Sequence, residues 1–170
     1  SGSSIKGAPP SNAEPASVRT PRLLRMLQES ISVIVDSPKP VIAAVEGHAF
    51  GAGLSLATAC DYVIASPTAR FCASFPKIGL IPDAGLLWSL PRRIGQARAH
   101  AMMISACTVD ASEAWRIGLV DKLETEQSVL QTALEFAAKF DALAPLPTAQ
   151  LRALSASGPL SLAQAFAVEI

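Results

Sequence analysis

The stretch His48-Ala-Phe-Gly-Ala-Gly-Leu-Ser-Leu-Ala-Thr-Ala-Cys60 decides the fold, because it follows a strand-like apolar run and leads into a helix-like one. Small residues at Gly51, Ala52 and Gly53 allow a ligand oxygen to approach the main chain closely. The first turn of a helix presents N–H groups without intrahelical acceptors, together with the positive end of the helix dipole. The stretch therefore predicts a site for a negatively charged oxygen, but a tight turn between a strand and a helix explains the same glycines equally well.

The segments around this stretch are expected to form a loop, two helices and a strand. Ser1–Thr20 is rich in small and polar residues, which is typical of a loop. Thr20 is expected to cap a helix that Ser37–Pro40 ends. Its apolar face consists of Leu23, Leu27, Ile31 and Ile34. Val41–Glu46 is apolar almost throughout, which favours a strand buried on both faces, and a helix is expected over Leu54–Cys60.

Downstream, short strands alternate with helices. The expected strands are Tyr62–Ala65, Arg70–Ala73 and Leu119–Leu123, and the expected helices are Asp83–Leu90, Gln96–Ser105 and about Glu126–Ala142. Pro91 is expected to separate the first two helices. Asp110 and Glu113 match a capping box, and Gly118 is placed for a left-handed helix end. The tail is predicted to be helical, with apolar residues that pack on the domain or on another subunit: Leu151, Leu154, Leu160, Leu162, Phe166 and Val168.

Composition favours a single domain that binds small ligands. The chain has 170 residues, of which 50% are hydrophobic, and its mean hydropathy is +0.36. Fourteen basic residues balance 14 acidic ones, so no field of one sign attracts nucleic acid or an anionic membrane surface. Three cysteines without CxxC spacing and two histidines without clustered carboxylates predict no metal site and a reducing cytoplasm.

The apolar run Val41–Cys60 raises the question of a membrane span. Glu46, His48 and three glycines interrupt this run and Asp61 follows it, so a span is not expected. No basic segment followed by an apolar one opens the chain, so a secretory signal is not expected either.

A longer pattern around the glycine turn is more specific. It combines Pro38–Gly53, the pair Cys60-Asp61 and the loop Gly79-Leu-Ile-Pro-Asp-Ala-Gly85. With these motifs at these intervals, the chain resembles the crotonase (enoyl-CoA hydratase/isomerase) superfamily from Ser1 to about Leu123. The resemblance implies an α/β fold, a crotonase-type spiral of repeated ββα units with C-terminal helices. It also implies a spiral core over residues 1–125, without the family's N-terminal strands, and a helical segment over residues 126–170 that packs on the core or a neighbouring subunit.

The resemblance further implies an oxyanion hole for an acyl-CoA thioester. Ser1-Gly-Ser-Ser-Ile-Lys6 is similar to the family's Ala-Gly-Ala-Asp-Leu-Lys loop. By this correspondence the backbone N–H groups of Ser3 and Ala52 hold the thioester oxygen, with Gly51 beside them. Ser3, Ser4, Ile5 and Lys6 then run along the CoA. Lys6 is either a phosphate contact or a solvated surface lysine.

The chain departs from the hydratases of the family at two positions. These enzymes add water with two glutamates, and the corresponding residues here are Ser55 and Phe75. Neither side chain relays a proton as a carboxylic acid does, so the sequence does not favour efficient hydration. Ser55 has no paired His and Asp, which argues against a serine hydrolase, and His48 is more typical of a structural histidine than of a base.

Asp83 is the candidate base, since ring- and double-bond isomerases of the superfamily, including the phenylacetate-pathway type, also carry an aspartate in this loop. The same residue is a favoured N-cap for a helix beginning at Ala84. An apolar wall that raises the pKa of Asp83 is expected from Phe75, Leu80, Ile81, Leu87 and Trp88, although these residues are equally consistent with a plain core. Phe75, Leu80 and Trp88 are the expected substrate contacts.

The sequence thus predicts an enoyl-CoA isomerase that moves a proton through a thioester enolate held by Ser3 and Ala52, with Asp83 as the base. Coenzyme A enters as part of the substrate, and no other cofactor or metal is expected. The alternatives are an enoyl-CoA hydratase and a catalytically weak acyl-CoA-binding protein. The resemblance implies a homo-oligomer, either a trimer or a dimer of trimers.

Overall fold

The computed structural model describes residues 16–167. Its strands are β1 (Ile42–Val45), β2 (His48–Phe50), β3 (Tyr62–Ala65), β4 (Arg70–Cys72), β5 (Thr108–Asp110) and β6 (Lys122–Leu123). Its helices are α1 (Ala16–Asp36), α2 (Ala52–Ala59), α3 (Leu86–Ile94), α4 (Gln96–Ser105), α5 (Ala111–Arg116), α6 (Val129–Ala138), α7 (Pro145–Ser157) and α8 (Leu162–Ala167), with short 3-10 helices at Phe75–Ile78 and Lys139–Ala142.

The strands form two small sheets, and each pair of consecutive strands contributes one strand to each sheet. The first sheet has the order β1-β3-β6 and is parallel, with Ile42 opposite Tyr62. The second has the order β2-β4-β5, in which β2 and β4 are parallel and β5 is antiparallel. The helices α2 and α3 follow these strand pairs, which confirms the expected strand-strand-helix repeat.

The main core is formed where α2, α3, α4 and α5 meet the strands. Its largest fully buried side chains include Leu54, Phe71, Leu86 and Leu90. At about 25 cal/mol per Å² of buried apolar surface, such side chains supply the main driving force for folding. α6 packs against β1 and β3 through Val129 and other apolar residues. None of the helices within residues 16–167 has the length and apolarity that a bilayer span requires.

The first helix and its neighbouring strand differ from the sequence predictions. α1 begins at Ala16, so Thr20 lies within the helix and is not its cap, and residues 16–20 of the predicted loop are helical. Pro21 lies inside α1 and not at its start. The fixed φ of proline is compatible with a helix, so a proline by itself does not mark where a helix begins. β1 is an edge strand with Ala44 exposed and its other residues half-buried, so the prediction of burial on both faces was wrong.

The break between α3 and α4 lies at Gly95 and not at Pro91. Gly95 has φ 80° and ψ 155°, which ends α3 and starts α4, whereas Pro91 stays within α3. Pro91 has no N–H to donate to the Leu87 carbonyl, the acceptor four residues earlier in the helix. Because Leu87 is exposed to solvent, this missing bond is tolerated. The predicted start of this helix at Asp83 was also wrong, since α3 begins at Leu86.

The caps of α5 agree in part with the sequence. Asp110 Oδ1 accepts a hydrogen bond from the Glu113 amide at 2.9 Å, as predicted. The Glu113 carboxylate pairs with Arg116 and does not complete the capping box. Gly118 has φ 81°, as predicted for a left-handed helix end.

In the C-terminal segment the predicted long helix divides into α6 and the 3-10 helix at Lys139–Ala142, and the predicted strand at Leu119–Leu123 shortens to β6. The tail is helical as expected. Within the single chain Leu151, Leu160, Leu162 and Phe166 remain exposed, so these four do not pack on the domain. Leu154 is half-buried, and Val168 lies outside the described residues. The division between core and helical segment stays a prediction.

Candidate active site

The turn at Gly51 is fixed by hydrogen bonds on both sides of the residue. The Gly51 N–H donates to the Cys72 carbonyl at 2.9 Å, which ties the end of β2 to β4. The Gly51 carbonyl accepts from the Leu54 and Ser55 amides at 2.9 and 3.1 Å, which starts α2. In the described part of the chain the Ala52 and Gly53 amides have no acceptor outside their own helix, and no earlier helical residue can supply one. The turn therefore offers free N–H groups at the positive end of α2.

Only glycine fits the conformation that orients these amides. Gly51 has φ 53° and ψ −120°, a backbone geometry that L side chains rarely adopt. A Cβ atom at this position would lie 3.3 Å from Ser74 Oγ and 3.8 Å from the ring of Phe75. The buried Phe75 ring thus packs directly against the turn.

The second element of the site is the loop that carries Asp83. Ala84 and Gly85 have positive φ values of 49° and 75°, and Gly85 is the N-cap of α3, with no side-chain capping bond. The structure therefore does not support the alternative in which the Asp83 side chain caps this helix. Asp83 Oδ1 is buried and has no hydrogen-bond partner among residues 16–167. This burial raises the pKa of the Asp83 carboxyl above its ordinary value, because the charged form loses its hydration.

Ser55 joins the two elements. Its side chain is fully buried, and its hydroxyl lies 3.1 Å from the Asp83 carbonyl and 3.4 Å from the Gly51 carbonyl. The loop with the candidate base and the turn with the candidate amides therefore share one hydroxyl group. Helix α1 supports the loop from behind, since Ile31 packs with the buried Ala84 and a Cβ atom at Gly85 would lie 3.5 Å from the Ile31 side chain.

The structure does not assemble the whole predicted apolar wall. Phe75 is buried beside Gly51, but Ile81 and Leu87 are 79% and 58% exposed, and Leu80 is also exposed. These three side chains therefore do not shield Asp83 from solvent in this chain, because they lie on a surface loop and on the outer side of α3. His48 is exposed and makes an edge contact with Phe50. Ser3, Ser4, Ile5 and Lys6 lie outside the described residues.

Trp88 lines a separate cavity of about 350 Å³ at the other end of α2. The Arg92 guanidinium lies 4.1 Å from the centre of the Trp88 ring. Since α2 has eight residues, this cavity is roughly 12 Å from the glycine turn. The lining of this cavity includes Trp88 and does not include Ala52, Phe75 or Asp83, and the substrate contact at Trp88 stays a prediction.

Two ion pairs in this cavity were not anticipated from the sequence. Arg152 pairs with Asp61 at 2.9 Å and also donates to the Ile34 carbonyl, which connects α7 with α1 and the end of α2. Arg93 pairs with Asp121 at 2.9 Å. Asp61 was part of the Cys-Asp motif, but its partner lies 91 residues further along the chain, and no sequence pattern signals a pairing at that distance.

Comparison of the chain with known proteins shows the family to which it belongs. Residues 14–169 match the profile of the enoyl-CoA hydratase/isomerase family. The match spans nearly the whole chain, and the chain belongs to this family. The crotonase-type fold expected from the sequence is thereby confirmed.

Individual relatives carry several activity names. The chain is 37% identical to carnitinyl-CoA dehydratase of Citrobacter koseri over 122 aligned residues. The aligned region covers 72% of this chain and 47% of the relative. An enoyl-CoA hydratase from Polaromonas sp. JS666 superposes with a TM-score of 0.81 at 36% identity, covering 90% of this chain and 60% of that one. A monofunctional enoyl CoA isomerase from M. smegmatis superposes with a TM-score of 0.73 at 36% identity, covering 81% and 66%. The chain spans about half the length, or less, of the curated relatives that it matches.

Proposed function

We propose that this protein isomerises enoyl-CoA thioesters by moving a proton through an enolate. One observation carries the proposal: Asp83 holds a buried carboxylate oxygen without a partner in the described part of the chain, in a loop that Ser55 links to the free amides at Ala52. The positions where hydratases carry glutamates hold Ser55 and Phe75, so Asp83 is the single candidate for proton transfer in this arrangement.

The reaction follows from these groups. The Asp83 carboxylate removes a proton from the α-carbon of a 3-enoyl thioester, and the C–H electron pair becomes part of a conjugated enolate. The Ala52 N–H stabilises the negative oxygen, a contribution of about 2.7–4 kcal/mol per preorganised donor. Asp83 then returns the same proton to the γ-carbon, which gives the 2-enoyl thioester. Coenzyme A takes part only as a portion of the substrate, and Ser3 is the proposed second donor.

The isomerase assignment is supported by the Asp83 loop, which resembles that of ring- and double-bond isomerases, and by the similarity to the M. smegmatis isomerase. An enoyl-CoA hydratase is the competing function, which the similarity to the Polaromonas hydratase favours. A third candidate is an acyl-CoA-binding protein without turnover. Measuring 3-enoyl-CoA turnover and 2-enoyl-CoA hydration with one preparation separates the three.

The decisive experiment compares Asp83→Asn with the wild-type protein in D₂O. We expect deuterium incorporation at the acyl α-carbon to fall by about 10²–10⁴-fold, the usual contribution of a general base. Asp36→Asn makes the same change at an exposed aspartate of α1 and serves as the matched control. Exchange in the wild-type protein should rise with pH through the raised pKa of Asp83, because only the ionised carboxylate accepts a proton.

Thermal unfolding separates catalysis from folding in this comparison. Asp83→Asn replaces a buried carboxyl whose Oδ1 has no hydrogen-bond partner among the described residues, so no loss of stability is expected. Undiminished exchange in Asp83→Asn would remove this residue from the mechanism. Rapid hydration of 2-enoyl-CoA by the wild-type protein would favour the hydratase instead, and tight binding without turnover would favour the binding protein.

A further inference from the structure

We propose that Ser55 is a positioning residue that holds the Asp83 loop in place relative to the Ala52 amide. The inference rests on the proposed function, because it concerns the same proton transfer. It assigns a role to a position where the resembled hydratases carry a glutamate and where this chain has no acid. Ser55 itself does not touch the reacting atoms in this proposal; it acts through the loop.

The hydrogen bonds of Ser55 have the geometry of a link between two elements. A serine in a helix commonly donates to the carbonyl four residues earlier, and here that contact is the longer one, at 3.4 Å to Gly51. The shorter contact, 3.1 Å, reaches the Asp83 carbonyl 28 residues away. The hydroxyl has one proton, so its bond is shared between a local and a distant acceptor. Since Ser55 is fully buried, water does not compete for either of them.

Besides the Ser55 hydroxyl, the Asp83 loop meets α2 through apolar packing, since the buried Ala84 belongs to one cluster with Ala59. Leu80 and Ile81 of this loop are exposed. Among residues 16–167 the Asp83 carbonyl otherwise accepts only from the Leu86 amide at 3.1 Å, a bond at the start of the following helix. Ala84 holds a positive φ of 49°, which is unfavourable for a residue with a side chain and persists only when the surroundings fix it. The Ser55 hydroxyl and the packing of Ala84 with Ile31 of α1 and Ala59 of α2 hold this conformation.

The chain provides a matched control one turn further along α2. Thr58 is also buried, and its hydroxyl lies 2.7 Å from Ser89 Oγ, so it connects α2 with α3. Like Ser55, it also contacts the carbonyl four residues earlier, here that of Leu54 at 2.9 Å. Thr58→Val removes this hydroxyl without changing the side-chain volume much. Ser55→Ala and Thr58→Val therefore each remove a buried hydroxyl that has one contact outside α2 besides its contacts within the helix, and only the Ser55 hydroxyl reaches Asp83.

The test measures exchange, KM, unfolding and the pKa of Asp83 in both variants. We expect Ser55→Ala to lower deuterium exchange about two- to tenfold, the change that the net free energy of one hydrogen bond corresponds to. KM should stay within about twofold of the wild-type value, since Ser55 makes no substrate contact. The apparent pKa of Asp83, followed by NMR of its carboxyl carbon, should move toward the ordinary value of about 3.9, because a loosened loop admits water. Thr58→Val should lower stability at least as much and leave exchange and this pKa unchanged.

The outcomes separate the two proposals. An unchanged Asp83 pKa in Ser55→Ala overturns the positioning role whatever the activity. Equal losses of exchange in Ser55→Ala and Thr58→Val also overturn it, because the effect then follows general stability. In both cases a strong loss in Asp83→Asn still supports the proposed function. Conversely, full exchange in Asp83→Asn rejects the proposed function, and a pKa shift confined to Ser55→Ala still supports the link between Ser55 and the loop.

Discussion

Replacing Gly51 by alanine tests whether the backbone turn, and no side chain, orients the candidate amides. Gly51 adopts φ 53° and ψ −120°, which lies outside the region that residues with a Cβ occupy. The added Cβ would lie 3.3 Å from Ser74 Oγ, a close contact that requires a small shift of the serine. We therefore expect both backbone strain and local crowding in Gly51→Ala.

The size of the effect follows from these two terms. Strained backbone conformations cost on the order of 1–3 kcal/mol, and the alanine recovers about 0.4–1 kcal/mol through a less flexible unfolded chain. With the contact to Ser74 added, we expect a net loss of about 2 kcal/mol in the free energy of unfolding. In a domain of this size such a loss lowers Tm by about 4–8 °C. If the turn relaxes by rotating the peptide between residues 51 and 52, the Ala52 N–H changes direction and exchange falls by about 10²–10³-fold.

Gly79→Ala is the matched control. Gly79 has φ 72° and ψ 23°, the left-handed helical conformation, and a Cβ atom added there would meet no heavy atom of the described chain within 4 Å beyond its own neighbours. We expect this substitution to lower the free energy of unfolding by about 1 kcal/mol, because the alanine is strained by the left-handed backbone conformation but does not crowd any neighbour. Urea unfolding of both variants and deuterium exchange at the acyl α-carbon measure the difference. If Gly51→Ala loses no more stability than Gly79→Ala and exchanges at the wild-type rate, the argument from turn geometry is wrong.

The sequence predicted the elements that local chemistry determines. The strand-to-helix turn at Gly51 and the cap at Asp110 depend on residues a few positions apart, and both occur where expected. The break between α3 and α4 was placed at Pro91 because proline lacks an N–H, but Gly95 provides the change in backbone direction. Proline alone therefore marked the wrong residue, since a helix tolerates one missing bond near solvent.

The candidate site was predictable only as far as motifs extend. Ala52 and Asp83 were identified from short motifs, whereas the Ser55 link between them depends on a contact over 28 residues. Trp88 was grouped with Asp83 as part of the expected apolar wall, but in the structure Trp88 lines the cavity at the other end of α2. Tertiary packing, which no local pattern encodes, decides which of these neighbours share a site.

Two further predictions concern groups outside the candidate site. Burial raises the pKa of the Cys60 thiol to about 11, so a thiol reagent at pH 8 should modify the exposed Cys107 before Cys60. Cys107→Ser should then remove the fast phase of the labelling reaction. Equal labelling rates for Cys60 and Cys107 would contradict this prediction. The pKa of Glu124 is lowered to about 2, chiefly by the hydrogen bond from the Thr132 hydroxyl at 2.6 Å, with help from the Glu126 amide and Lys122. Because the folded-state pKa lies below the unfolded value of about 4.3, this carboxylate stabilises the fold above that pH, and its contribution is lost as the pH falls toward 2. Urea unfolding between pH 6 and pH 3 should therefore show a steeper loss of stability in the wild-type protein than in Glu124→Gln, because the glutamine amide does not titrate. Parallel plots of unfolding free energy against pH for the two proteins would show that the low pKa of Glu124 does not stabilise the fold.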